Sequence, residues 1–204
     1  MLFLDHITIA GLTLAAATDH VSAALGVTPR PGGEHAVFHT HNTLMGLGDG
    51  LYLEAIAANP DAPQPTRPRW FDLDRFEGPP RLTNWICRTD NLDAALARLP
   101  RGFGDPVDLQ RGSLRWRMAV PQSGILPYDN CAPALIEWQT DTHPASMLAP
   151  SGCTLKKLEV RHPEAKALND LLAPFLDDAR IGFATGPANL LAQFDTPTGA
   201  AQLT

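Results

Sequence analysis

The sequence has few cysteines and no long apolar run, and both shortages limit what the protein can be. Its 204 residues contain an odd number of cysteines, none in a Cys-x-x-Cys spacing: Cys87, Cys131 and Cys153. This disfavours a disulfide framework and a structural zinc site. No stretch of about 18 apolar residues occurs, and Met1–His6 carries a carboxylate and an imidazole where a secretory signal needs apolar residues. We expect a soluble, cytoplasmic protein with no membrane partner.

Basic residues are also in short supply. Sixteen Lys plus Arg stand against 22 Asp plus Glu, and the net charge is −6 with no basic run. A nucleic-acid partner is therefore not expected. Hydrophobic residues make up 44% and charged residues 19%, which indicates an ordinary globular chain.

The chain repeats a strand-then-helix pattern three times. A short run rich in β-branched or aromatic residues precedes a segment with apolar residues at helical spacing; these runs are Leu4–Ile9, Leu82–Cys87 and Leu155–Val160. Strand-like runs follow each helix. The pattern predicts mixed helices and strands in two units, 1–60 and 80–145, each with a strand, a helix and then further strands. A partial third unit, 153–204, is expected to cover a sheet edge.

Two glutamates and one histidine occupy matching places in the repeats. Superposing the first strands puts His6 opposite Asn84, and superposing the last strands puts Glu54 opposite Glu137. A carboxylate in a buried strand needs a partner, a hydrogen bond or a cation. His6, Glu54 and Glu137 could hold zinc, iron, manganese or nickel. Alternatively, the carboxylates act as general bases without a metal, or they face solvent or form structural ion pairs.

Other polar and aromatic residues are candidates for substrate binding. His39 and His41 share one strand face, so His41 could face a cleft between the two units with Asn42 pointing away. A structural hydrogen-bonding role is the alternative. Arg115 and Arg117 alternate with a tryptophan and could meet an anionic substrate or lie on a solvated face. Asn84 and Trp85 occupy the first strand of the second unit, where Trp85 could equally serve packing.

Several of these segments together resemble the glyoxalase-like domains of the vicinal oxygen chelate superfamily, over roughly residues 1 to 145. The similar segments are Leu4–Ala10, Pro31–His35, Thr40–Leu44, Tyr52–Ala57, Leu126–Tyr128 and Leu135–Trp138. The resemblance implies an α+β fold in which the paired β-α-β-β-β units form curved mixed sheets around a shared cleft. It also implies a divalent metal held by the first and last strands of each unit. His6 and Glu54 match the first unit's ligands and Glu137 matches the second unit's. The fourth place falls on Asn84 or Trp85, neither of which is the usual His, Gln or Glu.

Two functions follow from this reading. The first is a metal-dependent lyase, isomerase or dioxygenase that stabilises an anion of a small oxygenated molecule, with Glu137 or Glu54 moving a proton. The second is a metal-free small-molecule-binding protein, or a cofactor-independent enzyme, on the same scaffold. A homodimer is compatible with both.

Overall fold

The computed structural model describes residues 1–204, which form one eight-stranded and one four-stranded mixed sheet. The first half of the larger sheet contains β1 (Phe3–Ala10), β2 (Arg30–His35), β3 (Thr40–Gly48) and β4 (Leu51–Ala58). The second half contains β5 (Arg81–Arg88), β6 (Asp105–Arg111), β7 (Leu114–Val120) and β8 (Ala134–Trp138). The smaller sheet contains β9 (Thr154–Arg161), β10 (Ile181–Ala184), β11 (Asn189–Thr196) and β12 (Gly199–Leu203). The helices are α1 (Leu14–Leu25), α2 (Leu92–Leu96), α3 (Pro144–Met147) and α4 (Ala165–Leu172).

The two halves of the larger sheet are related by an approximate twofold rotation. Its strand order is β2-β3-β4-β1-β5-β8-β7-β6, with β1 parallel to β4, β5 parallel to β8, and β1 antiparallel to β5 at the centre. His6 pairs with Ile86, and Thr8 pairs with Asn84. The rotation exchanges these two pairs, so that His6 corresponds to Asn84 and Thr8 to Ile86. The predicted α+β class and paired units are confirmed.

Helix α1 shows why the strand-then-helix pattern could be recognised in the sequence. Thr13 caps its first turn by accepting a hydrogen bond from the Ala16 amide at 3.1 Å. Gly26 ends it with a φ of 71°, a conformation that glycine adopts without strain. Ala17, Val21 and Leu25 lie four residues apart and bury one helix face against the sheet.

The C-terminal segment covers a face of the larger sheet, whereas we expected it to cover an edge. Its four strands have the order β10-β9-β11-β12, which differs from that of the other units. Leu158 and Phe194 of this sheet belong to the same buried cluster as Ile7 and Trp85 of the larger one. Strands β2 and β6, the true edges of the larger sheet, remain outside this contact. Burial of apolar residues from both sheets explains the face-to-face arrangement.

The connection between the two halves fills much of the concave face. Residues 60–69 contain four prolines, and the residues after them, Trp70–Arg75, form a short irregular helix. The Trp70 ring stacks on Phe38 with centroids 4.3 Å apart, and Phe71 joins the same buried cluster. No helix in the structure is both long and apolar enough to cross a bilayer.

Candidate functional site

His6 and Glu54 meet on the floor of the concave face. In the parallel pairing of β1 and β4, His6 lies beside Tyr52 and Thr8 beside Glu54, so all four side chains share a face. His6 Nε2 is 3.8 Å from Glu54 Oε2, and both side chains are 6% exposed. The Tyr52 ring stacks on the imidazole with centroids 4.3 Å apart. An imidazole nitrogen and a carboxylate are thus held together away from bulk water.

Asp5 fixes the orientation of His6. A register shift between Leu4 and His6 makes a bulge at Asp5, so that adjacent residues place their side chains together. Asp5 Oδ1 lies 2.6 Å from His6 Nδ1, and Oδ2 accepts hydrogen bonds from His143 Nε2 at 2.9 Å and Trp138 Nε1 at 3.1 Å. Burial alone would raise the pKa of Asp5, but the bonds from His143 and His6 leave it well below its usual value. The Asp5 carboxylate favours the Nδ1–H tautomer and directs the Nε2 lone pair toward Glu54.

Glu54 is held by hydrogen bonds to both of its oxygens. Asn42 Nδ2 donates to Oε1 at 2.5 Å, and Thr8 Oγ1 donates to Oε2 at 3.3 Å. Asn42 is fixed in turn by the Gly33 amide, which donates to its Oδ1 at 2.9 Å. A Cβ atom at Gly32 would collide with the Asn42 side chain. The glycine pair therefore leaves room for the amide that orients Glu54.

His35 and Arg111 form the wall beside Asn42. Burial lowers the pKa of His35 to about 4, with the Glu54 charge acting in the opposite direction and Arg111 adding to the decrease. His35 Nδ1 lies 2.9 Å from Thr40 Oγ1. Arg111 Nη1 is 3.3 Å from His35 Nε2 and 3.3 Å from Asn42 Oδ1. At neutral pH His35 is uncharged, so the Arg111 guanidinium carries the positive charge of this wall.

The side chains described above surround a cavity of about 30 Å³. Its lining includes His6, His35, Asn42, Glu54 and Arg111, with apolar walls from Trp70, Phe71, Trp116, Met118 and Ile136. A single water needs roughly 10–15 Å³ on this measure, so the space suits one or two water-sized groups. The Trp70 indole N–H is buried and has no acceptor.

The second half of the sheet presents an unpartnered amide and a methyl group at the matching positions. Asn84 corresponds to His6; it is fully buried, and neither its Oδ1 nor its Nδ2 has a hydrogen-bond partner. Ile86 pairs with Ala134 as Thr8 pairs with Glu54, so Ala134 corresponds to Glu54. No group of three or more His, Cys, Asp or Glu side chains is placed to hold a metal.

Glu137 does not join His6 and Glu54, which corrects the predicted ligand and catalytic set. It lies three residues beyond Ala134, and an odd offset along a strand places a side chain on the opposite face. Its Oε2 accepts a hydrogen bond from the Leu92 amide at the start of α2 at 2.7 Å and lies 3.7 Å from Arg117 Nη1. The carboxylate thus serves the helix end on the convex side.

Arg115, Arg117 and Trp85 also point away from the cleft. On β7 the cleft-facing residues are Trp116 and Met118, so the alternating arginines face outward. Arg115 is exposed, and Arg117 pairs with Asp93 at 2.8 Å. The Trp85 indole donates to the Cys131 carbonyl at 2.8 Å within the core behind the sheet. The predicted substrate-binding roles of these three residues are therefore corrected.

The orientation of strand β3 is the reverse of our expectation. Leu44 pairs with Glu54, and Asn42 pairs with Ile56, so both side chains face the cleft. His41 directly precedes Asn42 in the strand and therefore faces the other side, with its Nε2 buried and unpartnered. The prediction that His41 faces the cleft and Asn42 faces away is wrong.

Sequence reasoning missed several residues of the site: Asp5, His35, Asn42, Trp70 and Arg111. One signal was available, since the hairpin of β3 and β4 fixes which β3 residues share the face of Glu54. Asp5 could not be found in this way, because regular alternation places it on the face opposite His6. Arg111 and Trp70 come from a distant strand end and a linker, which no local pattern brings to the cleft.

Comparison with known proteins identifies the family. A sequence profile described as a glyoxalase-like domain matches residues 4–176. No curated protein matches the chain. Three solved structures show similarity to this chain, with the following scores. A hypothetical protein from Staphylococcus aureus has a TM-score of 0.61 at 12% identity over 93% of this chain and 88% of that one. The Mn(II)-bound glyoxalase from Novosphingobium aromaticivorans has a TM-score of 0.49 at 11% identity over 98% and 80%. Methylmalonyl-CoA epimerase from Mycobacterium tuberculosis has a TM-score of 0.44 at 18% identity over 70% and 91%. The chain belongs to the glyoxalase-like domain family.

Proposed function

We propose that this protein is a divalent-metal-dependent enzyme that moves a proton on a small oxygenated molecule. The observation that carries the proposal is the approach of His6 Nε2 to Glu54 Oε2 at 3.8 Å in a cleft lined mainly by hydrophobic residues. With Asn84 as a third donor, the set has one nitrogen and two oxygens. Such a mixed set suits manganese, zinc, iron or nickel.

The surroundings of the two side chains support cation binding. A metal-binding histidine usually donates its other ring N–H to a carboxylate, and Asp5 is that partner for His6 at 2.6 Å. A metal-binding carboxylate is usually held by further hydrogen bonds, which Asn42 and Thr8 supply to Glu54. The supporting groups therefore fit the donors that the proposal needs.

Asn84 supports a third donor. An unpaired polar group in the interior costs about 1–3 kcal/mol, so an amide with two unpaired atoms calls for an interaction partner. Asn84 lies opposite Thr8, whose hydroxyl contacts Glu54, and diagonally across the ladder from His6. Side chains at such a diagonal are within reach of a common ligand. Ala134 supplies no donor and leaves room for substrate oxygens.

Each cleft residue then has a chemical task. A bound divalent cation supplies a Lewis acid that stabilises negative charge on a carbonyl oxygen. Glu54 is the only carboxylate that lines the cavity, and we assign it the proton transfer. Asn42 holds the carboxylate in place, and Trp116, Met118 and Ile136 keep water from the reacting carbon.

Hydrogen–deuterium exchange tests this function directly. Protein loaded with Mn(II), Zn(II), Fe(II) or Ni(II) is incubated in D₂O with a panel of small oxo and hydroxy compounds, and NMR follows exchange at the carbon next to the carbonyl. We expect exchange that chelator abolishes, that Glu54→Gln reduces at least 100-fold, and that Glu137→Gln retains. Glu137→Gln is a matched control because it makes the same change outside the cleft. No exchange in any loaded sample, or equal exchange in Glu54→Gln, would overturn the proposal.

Ala134 and the small cavity favour a second candidate, a metal-free binding protein on the same scaffold. It would enclose a small ligand beneath Trp70 and Phe71 and use Glu54 as a hydrogen-bond acceptor. This candidate requires that chelator and added cations leave thermal stability unchanged. A cation-dependent rise in Tm that Glu54→Gln removes would exclude it.

A further inference from the structure

Arg111 is a cation in the cleft wall that has no anionic partner. The ion pairs in this chain use six other arginines: Arg69, Arg75, Arg88, Arg117, Arg161 and Arg180. Arg111 Nη1 contacts the neutral acceptors His35 Nε2 and Asn42 Oδ1, each at 3.3 Å. The other guanidinium N–H groups have no acceptor in the protein, although the side chain lines the cavity. A planar fork of donors is therefore available to a ligand.

The backbone is built to admit this side chain. Arg111 ends strand β6, at one edge of the larger sheet, and reaches strand β2 at the other edge. A Cβ atom at Gly33 would lie 2.7 Å from Arg111 Cδ. Glycine at this position lets the arginine stem cross β2 and bring its charge to the cavity.

Trp70 adds a second donor without an acceptor. It is 4% exposed, lines the same cavity and meets His35 edge-on with centroids 4.9 Å apart. Its indole N–H is buried and makes no hydrogen bond within the protein. Buried indole N–H groups are normally paired, so this donor also calls for a ligand oxygen.

We propose that Arg111 and the Trp70 indole bind the carboxylate of the substrate, which makes the substrate class a short oxo- or hydroxycarboxylate. Arg111 and Glu54 contact opposite ends of the same Asn42 amide, so a carboxylate at Arg111 places the neighbouring carbon beside Glu54. The guanidinium fork suits carboxylate and phosphate alike, and the cavity of about 30 Å³ favours the smaller carboxylate. The position of the reacting carbon rests on the proposed function, whereas anion binding by Arg111 does not.

The Glu54 charge gives the proposal a second consequence. Without a cation, Glu54 repels an incoming carboxylate, and with a cation this repulsion is neutralised. Carboxylate affinity should therefore rise on Mn(II) loading, and by linkage Mn(II) affinity should rise by the same factor when a carboxylate is present.

Calorimetric titration with acetate, acetamide and inorganic phosphate tests the inference. We expect acetate to bind the wild type and Arg115→Met equally and Arg111→Met at least tenfold more weakly, with acetamide and phosphate binding poorly to all three. Arg115→Met is the matched control because this arginine is exposed on the neighbouring strand. Trp70→Phe should bind acetate several-fold more weakly. Equal acetate affinity in Arg111→Met, or equal binding of acetate and acetamide, would overturn the inference.

Two further arms separate this inference from the proposed function. Arg111→Lys keeps the positive charge but not the planar guanidinium, and it should bind acetate with intermediate affinity. This variant still tests the inference if Arg111→Met does not fold. Each titration is run with chelator and with Mn(II). Arg111-dependent acetate binding in both conditions without any cation binding would support the inference and contradict the proposed function. Cation binding with Arg111-independent acetate affinity would contradict the inference alone.

Discussion

Replacing Asn84 by leucine tests whether its amide is a ligand-binding group. Such a group lowers the stability of the protein when no cation is bound. Asn84 is fully buried, and neither amide atom has a partner. Leucine is of similar size and removes two unpaired polar atoms, so Asn84→Leu should raise the free energy of unfolding by about 1–3 kcal/mol in chelator. At roughly 2–4 °C per kcal/mol for a domain of this size, Tm should rise measurably.

The assay compares urea and thermal unfolding with chelator and with Mn(II). Ligand at about 100 times its Kd stabilises a protein by about 2.7 kcal/mol, and we expect this gain in the wild type but a smaller one in Asn84→Leu. Asn84→Asp provides the converse: a buried carboxylate should destabilise the protein in chelator and bind Mn(II) more tightly. A loss of more than about 1 kcal/mol for Asn84→Leu in chelator would refute the reasoning, because it would mean that the amide is satisfied.

Three further results are expected. Because burial lowers the pKa of His35 to about 4 from 6.5, the unfolded chain binds a proton between these pH values that the folded chain does not. The free energy of unfolding should therefore fall by up to about 3 kcal/mol from pH 7 to pH 4, and His35→Gln should flatten this part of the profile. Gly32→Ala should displace Asn42 and weaken Mn(II) binding at least tenfold, as measured by calorimetry, while circular dichroism shows that the protein still folds. Unchanged affinity would show that Asn42 does not orient Glu54. Burial raises the thiol pKa values of Cys87, Cys131 and Cys153. These cysteines should therefore resist Ellman's reagent in the folded protein and react in urea. Rapid reaction of the folded protein would contradict their burial.

The repeat revealed the paired units because strand and helix periodicities are local properties. Thr13 and Gly26 mark the ends of α1, and the offset that matches His6 with Asn84 also holds in the folded sheet. The family resemblance added the curved sheets and the shared cleft. The strands, the helices and the repeat itself could be predicted because each depends on a pattern that a single segment contains.

The second half of the site depends on strand register, which the sequence alone does not determine. Aligning the last strands of the two units by their apolar residues matched Glu54 with Glu137. The strand pairing in the folded sheet matches Glu54 with Ala134. An error of three residues reverses the face of a strand side chain. The bulge that brings Asp5 beside His6 likewise breaks the regular alternation. Such features arise from pairing between distant segments and follow no local periodicity.

The metal content of untagged protein purified without chelator tests the central claim most directly. After reconstitution with Mn(II) and removal of free metal, elemental analysis should find one cation per chain in the wild type and in Glu137→Gln. Glu54→Gln should hold less than a tenth of that amount, because it removes the charged donor facing His6. One cation in Glu54→Gln, or its loss in Glu137→Gln alone, would contradict the account.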